Sequence, residues 1–132
     1  MMVLVIGGTR FVGLRLVRAL AQTGHEITLL NRGKTQAELP PGLKRLYADR
    51  RDPEAIRNAL KGLTFEWAFD ITGYQVRSVQ PMVEALTGRV EHYIFQSTAG
   101  VYADTETIPV TEDSPTLSPV TTLAGFAAYE VE

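Results

Sequence analysis

The 132-residue sequence contains no cysteine, which excludes disulfides, thiolate nucleophiles and zinc sites built on cysteine. Every apolar run is shorter than the roughly 18 residues that a membrane-spanning helix requires. No basic flank precedes the apolar run at the N-terminus, as a signal peptide would need. The two histidines, His25 and His92, stand at the start of predicted strands without neighbours that suggest metal ligands. We therefore expect a cytoplasmic protein without a metal site.

A strong excess of charge of either sign is also missing. Lys and Arg number 13 against 15 Asp and Glu, so the formal net charge is only −2. A general basic character that would attract nucleic acid or an anionic membrane is thus absent. Apolar residues, by contrast, make up 45% of the chain, enough for one core at the commonest domain size. We expect residues 1–132 to form a single domain.

Strand and helix patterns alternate along the first hundred residues. Short apolar runs predict strands at residues 3–6, 26–30, 44–48, 66–71 and 92–96. Apolar spacing predicts helices over 11–23, from Pro53 to Gly62, and along Val76, Val79, Val83 and Leu86. Asp52 is the predicted N-cap of the second helix, with Pro53 as its first residue. This alternation predicts an α/β fold, a parallel sheet with helices on both faces.

A glycine-rich segment separates the first strand from the first helix. It consists of Gly7, Gly8, Thr9, Arg10, Phe11, Val12 and Gly13. A pyrophosphate site needs a sharp turn off the strand, close approach of the backbone, and a helix N-terminus aimed at the charge. We assign the turn to Gly7 and close packing of the helix on the sheet to Gly13. The context predicts a Rossmann-type sheet of order 3-2-1-4-5 that binds NAD or NADP; a tight turn without a ligand is the alternative.

The second strand ends where a Rossmann unit contacts the adenosine ribose. An acidic residue there would accept from the ribose hydroxyls and repel a 2′-phosphate. This chain instead has Asn31 and Arg32, with Lys34 beyond them. Because neutral and cationic side chains tolerate or favour a phosphate, we expect NADP to be preferred to NAD. A solvated basic loop is the alternative interpretation.

The glycine segment resembles that of the extended short-chain dehydrogenase/reductase superfamily, the NAD-dependent epimerases and dehydratases. Gly7 and Gly13 match the first and third glycines of its GxxGxxG motif, and Arg10 replaces the middle glycine. The string GGTRFVG is especially similar to an atypical branch that includes the chloroplast stem-loop RNA-binding proteins. The resemblance covers most of the chain in five separated patches.

The resemblance implies further cofactor contacts after strands three and four. The segment ADRRD is similar to the family's GD-x-x-D, which implies that Asp49 accepts from the adenine amino group and that Arg50 flanks the ring. Asp49 as a simple turn residue is the alternative. Thr72 and Gly73 fall where the family has small residues beneath the nicotinamide ribose. The role of the neighbouring Asp70 stays open.

The segment after strand five, QSTAGVY, is similar to the family's SS-A-x-VYG and implies that Thr98 is a catalytic hydroxyl. The family's base is a tyrosine followed four residues later by a lysine that lowers its pKa. Tyr129 fits this role, but the lysine would fall one residue past Glu132; a core or surface aromatic is the alternative. We expect the N-terminal part of a longer protein, truncated after strand five, without its substrate domain and inactive alone.

Three functions follow from these resemblances. The first is an NAD(P)-dependent epimerase, dehydratase or oxidoreductase acting on a nucleotide sugar or related carbonyl compound. The second is an RNA-binding protein, for which five basic residues could cluster around strand three: Lys44, Arg45, Arg50, Arg51 and Arg57. The third is a domain that senses NAD(P) without turnover. A bare edge at strand five would also favour a homodimer.

Overall fold

A computed structural model of the protein describes residues 1–103 and 108–116. The strands β1 to β5 span Met2–Ile6, Glu26–Asn31, Lys44–Tyr47, Phe65–Asp70 and Val90–Phe95. The helices α1 to α3 span Phe11–Gln22, Pro53–Ala59 and Val76–Leu86, and a short 3-10 turn covers Ala99–Val101. Every strand and helix predicted in the first hundred residues is therefore present, with ends displaced by a few residues at most.

The five strands form one parallel sheet in the order β3-β2-β1-β4-β5, which confirms the predicted Rossmann-type topology. Because β1 is central and covered on both faces, its residues must be apolar throughout, and Val3 to Ile6 are all buried. The register aligns Ile6 with Leu30 on one side and with Asp70 on the other. The carboxyl ends of β1, β2 and β4 thus lie level, where the strand order reverses and a ligand crevice forms.

Helices cover the two faces of the sheet with separate apolar layers. On one face α1 buries Gly13, Val17 and Leu20. On the opposite face α2 and α3 contribute the buried side chains Ile56, Leu60, Met82 and Leu86. Strand β5 lies at one edge of the sheet, and its side chains Ile94 and Phe95 are 40% and 44% exposed.

Helix α2 begins as predicted. The Asp52 side chain accepts hydrogen bonds from the N–H groups of Glu54 and Ala55, both at 3.0 Å, and Pro53 is the first helical residue. The carboxylate therefore satisfies two of the donors that a helix N-terminus leaves without partners.

The apolar residues that predicted α3 do not all lie on its buried face. Val76 and Val83 are exposed, and the residues that face the core are Ser78, Met82 and Leu86. These three lie four residues apart and so share one side of the helix. Ser78 can be buried because its hydroxyl donates to Gln75 O at 2.8 Å. The apolar spacing predicted the helix correctly, but its buried face is formed by Met82 and Leu86 of the core together with Ser78.

Candidate functional site

A cleft of about 360 Å³ lies at the carboxyl ends of the strands. Its lining includes predicted cofactor residues that follow four different strands: Gly7, Thr9, Asn31, Arg32, Asp49, Arg50 and Thr72. The remaining predicted cofactor residues lie outside this lining: Gly8, Arg10, Phe11, Val12, Gly13 and Gly73. Chain segments that are distant in sequence therefore meet at one concave site.

Gly7 turns the chain off β1. Its φ is +108°, a conformation that strains any residue with a Cβ. Its N–H donates to Leu30 O at 3.0 Å, which fixes the loop to the end of β2. A Cβ on Gly7 would lie 2.6 Å from Thr72 Cγ2. Only glycine therefore permits both the turn and the close contact with the segment after β4.

Gly13 lies in the first turn of α1 and approaches the glycine loop. A Cβ on Gly13 would lie 2.8 Å from Gly8 N and 2.9 Å from Gly8 Cα. The closest side-chain atom is Ile71 Cγ2, at 3.3 Å. Gly13 therefore allows α1 to pack closely against the backbone of Gly8 in the glycine loop and beside Ile71, the residue after β4.

The N-terminus of α1 has no side-chain cap. Arg10 occupies the N-cap position without a capping hydrogen bond, and the first turn contains no acidic residue. The N–H groups of a first helical turn have no acceptor within the helix, and the helix dipole adds positive potential there. Phe11 in this turn has a φ of +43° and is 85% exposed. The start of α1 thus presents donors and positive potential, which suits an anion.

Asn31 ends β2 and lines the cleft. Its Oδ1 accepts from Gly33 N at 2.7 Å, and this bond identifies the oxygen, since an N–H needs an acceptor. Its Nδ2 is buried and makes no hydrogen bond within the described residues. A buried donor without a partner is uncommon in proteins and costs free energy. An acceptor atom supplied by a ligand would remove that cost.

Some charged residues around the cleft form salt bridges and others do not. Asp49 accepts from Arg51 Nη2 at 3.1 Å and from Arg51 Nε at 3.2 Å. These side-chain hydrogen bonds, together with one from Arg51 N, lower the pKa of Asp49 to about 2. Arg32 and Lys34 are exposed and form no salt bridge in the part of the chain that the structure describes. The end of the cleft beside β2 therefore carries the uncompensated positive charge.

Arg50 belongs to a partly buried network. Its Nη1 and Nη2 donate to Asp70 Oδ1 and Oδ2 at 2.9 and 2.7 Å, in a bidentate ion pair. Its Nε donates to Ser78 O at 2.9 Å, and its Nη1 also donates to Thr72 Oγ1 at 3.0 Å. The Arg50 side chain is 14% exposed and that of Asp70 is fully buried. Four of its five N–H donors are thus engaged within the protein, and its predicted place beside the adenine ring stays a prediction.

Two further donors complete the environment of Asp70. Tyr93 on β5 donates to Asp70 Oδ2 at 2.7 Å, and Thr72 N donates to Oδ1 at 3.1 Å. Burial raises the pKa of the Tyr93 hydroxyl well above its usual range, and the hydrogen bond to Asp70 adds to the shift. Tyr93 therefore stays protonated and keeps donating at every physiological pH. The sequence did not single out Tyr93, although an acid that ends an apolar strand signals a need for buried partners.

Of the two predicted catalytic residues, Thr98 and Tyr129, the structure describes only Thr98. Thr98 follows β5 and is exposed, and its Oγ1 accepts from Gly100 N at 3.2 Å at the start of the 3-10 turn. Tyr129 lies outside the described residues. Gly73 has a packing role, because a Cβ there would collide with the side chains of Phe95 and Val79.

Residues 1–103 and 108–116 hold no cluster of three or more His, Asp or Glu that could bind a metal ion. His25 packs edge-on against Trp67, with ring centroids 6.5 Å apart. Across the same ranges, the helices lack the length and apolar character that crossing a membrane requires.

A parallel sheet of this order, with a glycine loop joining its central strand to a helix, defines a Rossmann-type α/β protein. The NAD dependent epimerase/dehydratase family matches residues 3–130. The chain belongs to this family.

Relatives of known identity differ in what they do. The chloroplast stem-loop binding protein of 41 kDa b from Arabidopsis thaliana is 36% identical over 124 residues, which cover 84% of this chain and 32% of that protein. The UDP-glucose 4-epimerase of Streptomyces lividans is 27% identical over 86% of this chain and 40% of its own length. A Thermus thermophilus UDP-glucose 4-epimerase, solved with NAD, superposes with a TM-score of 0.76 at 25% identity over 90% of this chain and 45% of that one. The chain thus spans less than half the length of each.

The Arg50–Asp70 pair generates a prediction about stability. Asp70→Asn keeps the side-chain shape but leaves the Arg50 guanidinium without its counter-charge. Removing one partner of a buried pair costs about 3–5 kcal/mol, and the free energy of unfolding in urea should fall by that amount. Tyr93→Phe is the matched control, since it removes one hydrogen bond to the same carboxylate and should cost only about 1 kcal/mol. Equal losses in the two variants would contradict a dominant ion pair.

Proposed function

We propose that the cleft binds a nicotinamide dinucleotide, with its pyrophosphate at the first turn of α1 and its adenosine half between the ends of β2 and β3. The observation that carries this proposal is the uncapped N-terminus of α1, beside a loop in which Gly7 and Gly13 leave no room for side chains. The residues fit the group, because segment 8–13 contributes backbone donors and positive potential to a site that lacks its own anion. Membership of an NAD-dependent family supports the same ligand.

We propose further that NADP is preferred to NAD. The Oδ1 atom of Asn31 already accepts from Gly33 N, so the Nδ2 donor is the part of its amide that lacks a partner. This donor suits a phosphate or hydroxyl oxygen as partner. Arg32 and Lys34 supply positive charge at the same end of the cleft. A 2′-phosphate would satisfy the orphaned donor and pair with the cations, whereas an unmodified ribose offers no charge. Asp49, held ionised by Arg51, is an acceptor suited to the adenine amino group.

The whole protein is proposed to act as an epimerase, dehydratase or oxidoreductase on a nucleotide sugar or related carbonyl compound. The support is the family and the UDP-glucose 4-epimerases among its relatives. When bound, the nicotinamide supplies or accepts a hydride. Thr98 follows β5 at the carboxyl edge of the sheet, where its hydroxyl would donate to a substrate oxygen. Tyr129 would hold or move the proton on that oxygen.

RNA binding is the second candidate, and its support is the likeness to the stem-loop binding protein. An exposed pair on β3, the Arg45 guanidinium 5.3 Å from the centre of the Tyr47 ring, would suit a nucleic acid. The predicted basic cluster around β3 is smaller than its sequence suggested, however. Arg50 is bound to the buried Asp70, and Arg51 is paired with Asp49. Dinucleotide binding is therefore the function that the site supports best.

Gly13→Ala tests the proposed pyrophosphate site. The added methyl group would displace the Gly8 backbone, and the loss of one charged hydrogen bond weakens binding by about 10- to 150-fold. Calorimetric titration with NADP should show at least a tenfold loss of affinity. Gly88→Ala is the control for a glycine-to-alanine change outside the cleft: its φ of +72° makes the substitution strained, but its Cβ would meet nothing within 4 Å. Undiminished affinity in Gly13→Ala would refute binding at this loop.

Arg32→Ala tests the cofactor preference. Wild-type protein should bind NADP more tightly than NAD, and the variant should lose roughly tenfold or more of its NADP affinity while NAD affinity stays nearly constant. Arg57→Ala, an exposed charge on α2 outside the cleft, controls for the general effect of net charge. A wild-type protein that binds NAD as tightly as NADP would show that the preference is wrong.

A further inference from the structure

We propose that Arg50 is a positioning residue that fixes the Thr72 hydroxyl as a hydrogen-bond donor to an oxygen of the bound dinucleotide. The proposal rests on the proposed function, since it assumes a dinucleotide in the cleft. In this proposal Arg50 acts indirectly, by orienting Thr72, and the Thr72 hydroxyl is the group that contacts the ligand.

The direction of the hydrogen bond between the two residues follows from the chemistry of arginine. A guanidinium carries only donors, so in the 3.0 Å contact Arg50 Nη1 donates and Thr72 Oγ1 accepts. The hydroxyl proton of Thr72 is thereby left for another acceptor. Within the described residues, Thr72 Oγ1 makes no further hydrogen bond. Thr72 lines the cleft, so an oxygen of a ligand bound there would be placed to accept this proton.

The backbone and the methyl group of Thr72 are also held in place. Its N–H donates to Asp70 Oδ1 at 3.1 Å, which ties its backbone to the same carboxylate that holds Arg50. Its methyl group faces Gly7, where an added Cβ would lie 2.6 Å from Cγ2. The methyl group therefore fills the space beside the glycine loop, and the hydroxyl is directed by Arg50. This places the free donor next to the loop proposed for the pyrophosphate.

The network that holds Arg50 explains why a lysine would not replace it. The planar guanidinium bonds both Asp70 oxygens, Ser78 O and Thr72 Oγ1 at once. An ammonium is a point charge without this fixed fork. A buried ion pair often adds little to the free energy of unfolding, but it can fix one arrangement of the surrounding side chains. Here the arrangement specified is the orientation of a cleft hydroxyl, and positioned polar groups lower the cost of ligand binding.

The test is a double-mutant cycle on dinucleotide affinity, measured by calorimetry with NADP and with NAD. Thr72→Val removes the hydroxyl but keeps a methyl group against Gly7, and it should weaken binding by roughly tenfold or more. Thr72→Ser keeps the hydroxyl and should retain wild-type affinity within about threefold. Arg50→Lys should weaken binding similarly to Thr72→Val. The double variant should bind little worse than Thr72→Val alone, because both changes remove one interaction.

Other outcomes separate this inference from a merely structural role. Ile56→Val removes one buried methyl group from the core, outside the cleft lining, and should lower the melting temperature without lowering affinity. If Arg50→Lys does not fold, the guanidinium NMR signals of Arg50 give the second measure: NADP should shift them in wild-type protein and not in Thr72→Val. Unchanged affinity in Thr72→Val, or additive losses in the cycle, would overturn the role of Arg50 while leaving dinucleotide binding intact. A wild-type chain that binds no dinucleotide would overturn both proposals.

Discussion

The bidentate pair between Arg50 and Asp70 is the interaction on which the geometry of the cleft depends. Asp70 ends β4 and is fully buried, so its charge requires a partner that can satisfy both oxygens. Arg50 reaches it from the loop after β3, although β2 and β1 lie between those strands in the sheet. Ser78 on α3 and Tyr93 on β5 join the same network. The network around this ion pair therefore links the loop after β3, strands β4 and β5, and helix α3.

Helices α1 and α2 differ in how the free backbone donors at their N-termini are treated. Helix α2 is capped by its own Asp52, which satisfies two of its N-terminal donors. Helix α1 begins with Arg10, which supplies no acceptor, and the preceding loop is shaped by glycines that permit close approach. A cation at an N-cap opposes the helix dipole unless an anion lies between them. The uncapped end of α1 thus suits an anion, which is what the proposed pyrophosphate site requires.

Features encoded locally could be predicted from the sequence. The parallel α/β sheet followed from the alternation of strands and helices, and its strand order followed from the glycine segment between the first strand and helix. The turn at Gly7 and the cap at Asp52 followed from their immediate neighbours. The Arg50–Asp70 pair could not be predicted, because it joins residues 20 apart in sequence across two intervening strands. The same holds for Gly13, whose contact with Gly8 depends on how the loop folds back. Local patterns determined the elements, whereas the roles of polar residues depended on tertiary contacts.

Dinucleotide binding in the cleft is tested most directly by NMR titration of the isotopically labelled chain with NADP. The backbone amides of segment 8–13 should shift, because they face the proposed pyrophosphate. The side-chain amide of Asn31 should shift with them, since its Nδ2 acquires an acceptor that the described residues do not provide. The amides of α2, whose N-terminus is already capped, should remain in place. Shifts confined to residues other than segment 8–13 and the cleft lining, or no shifts at millimolar NADP, would contradict this site.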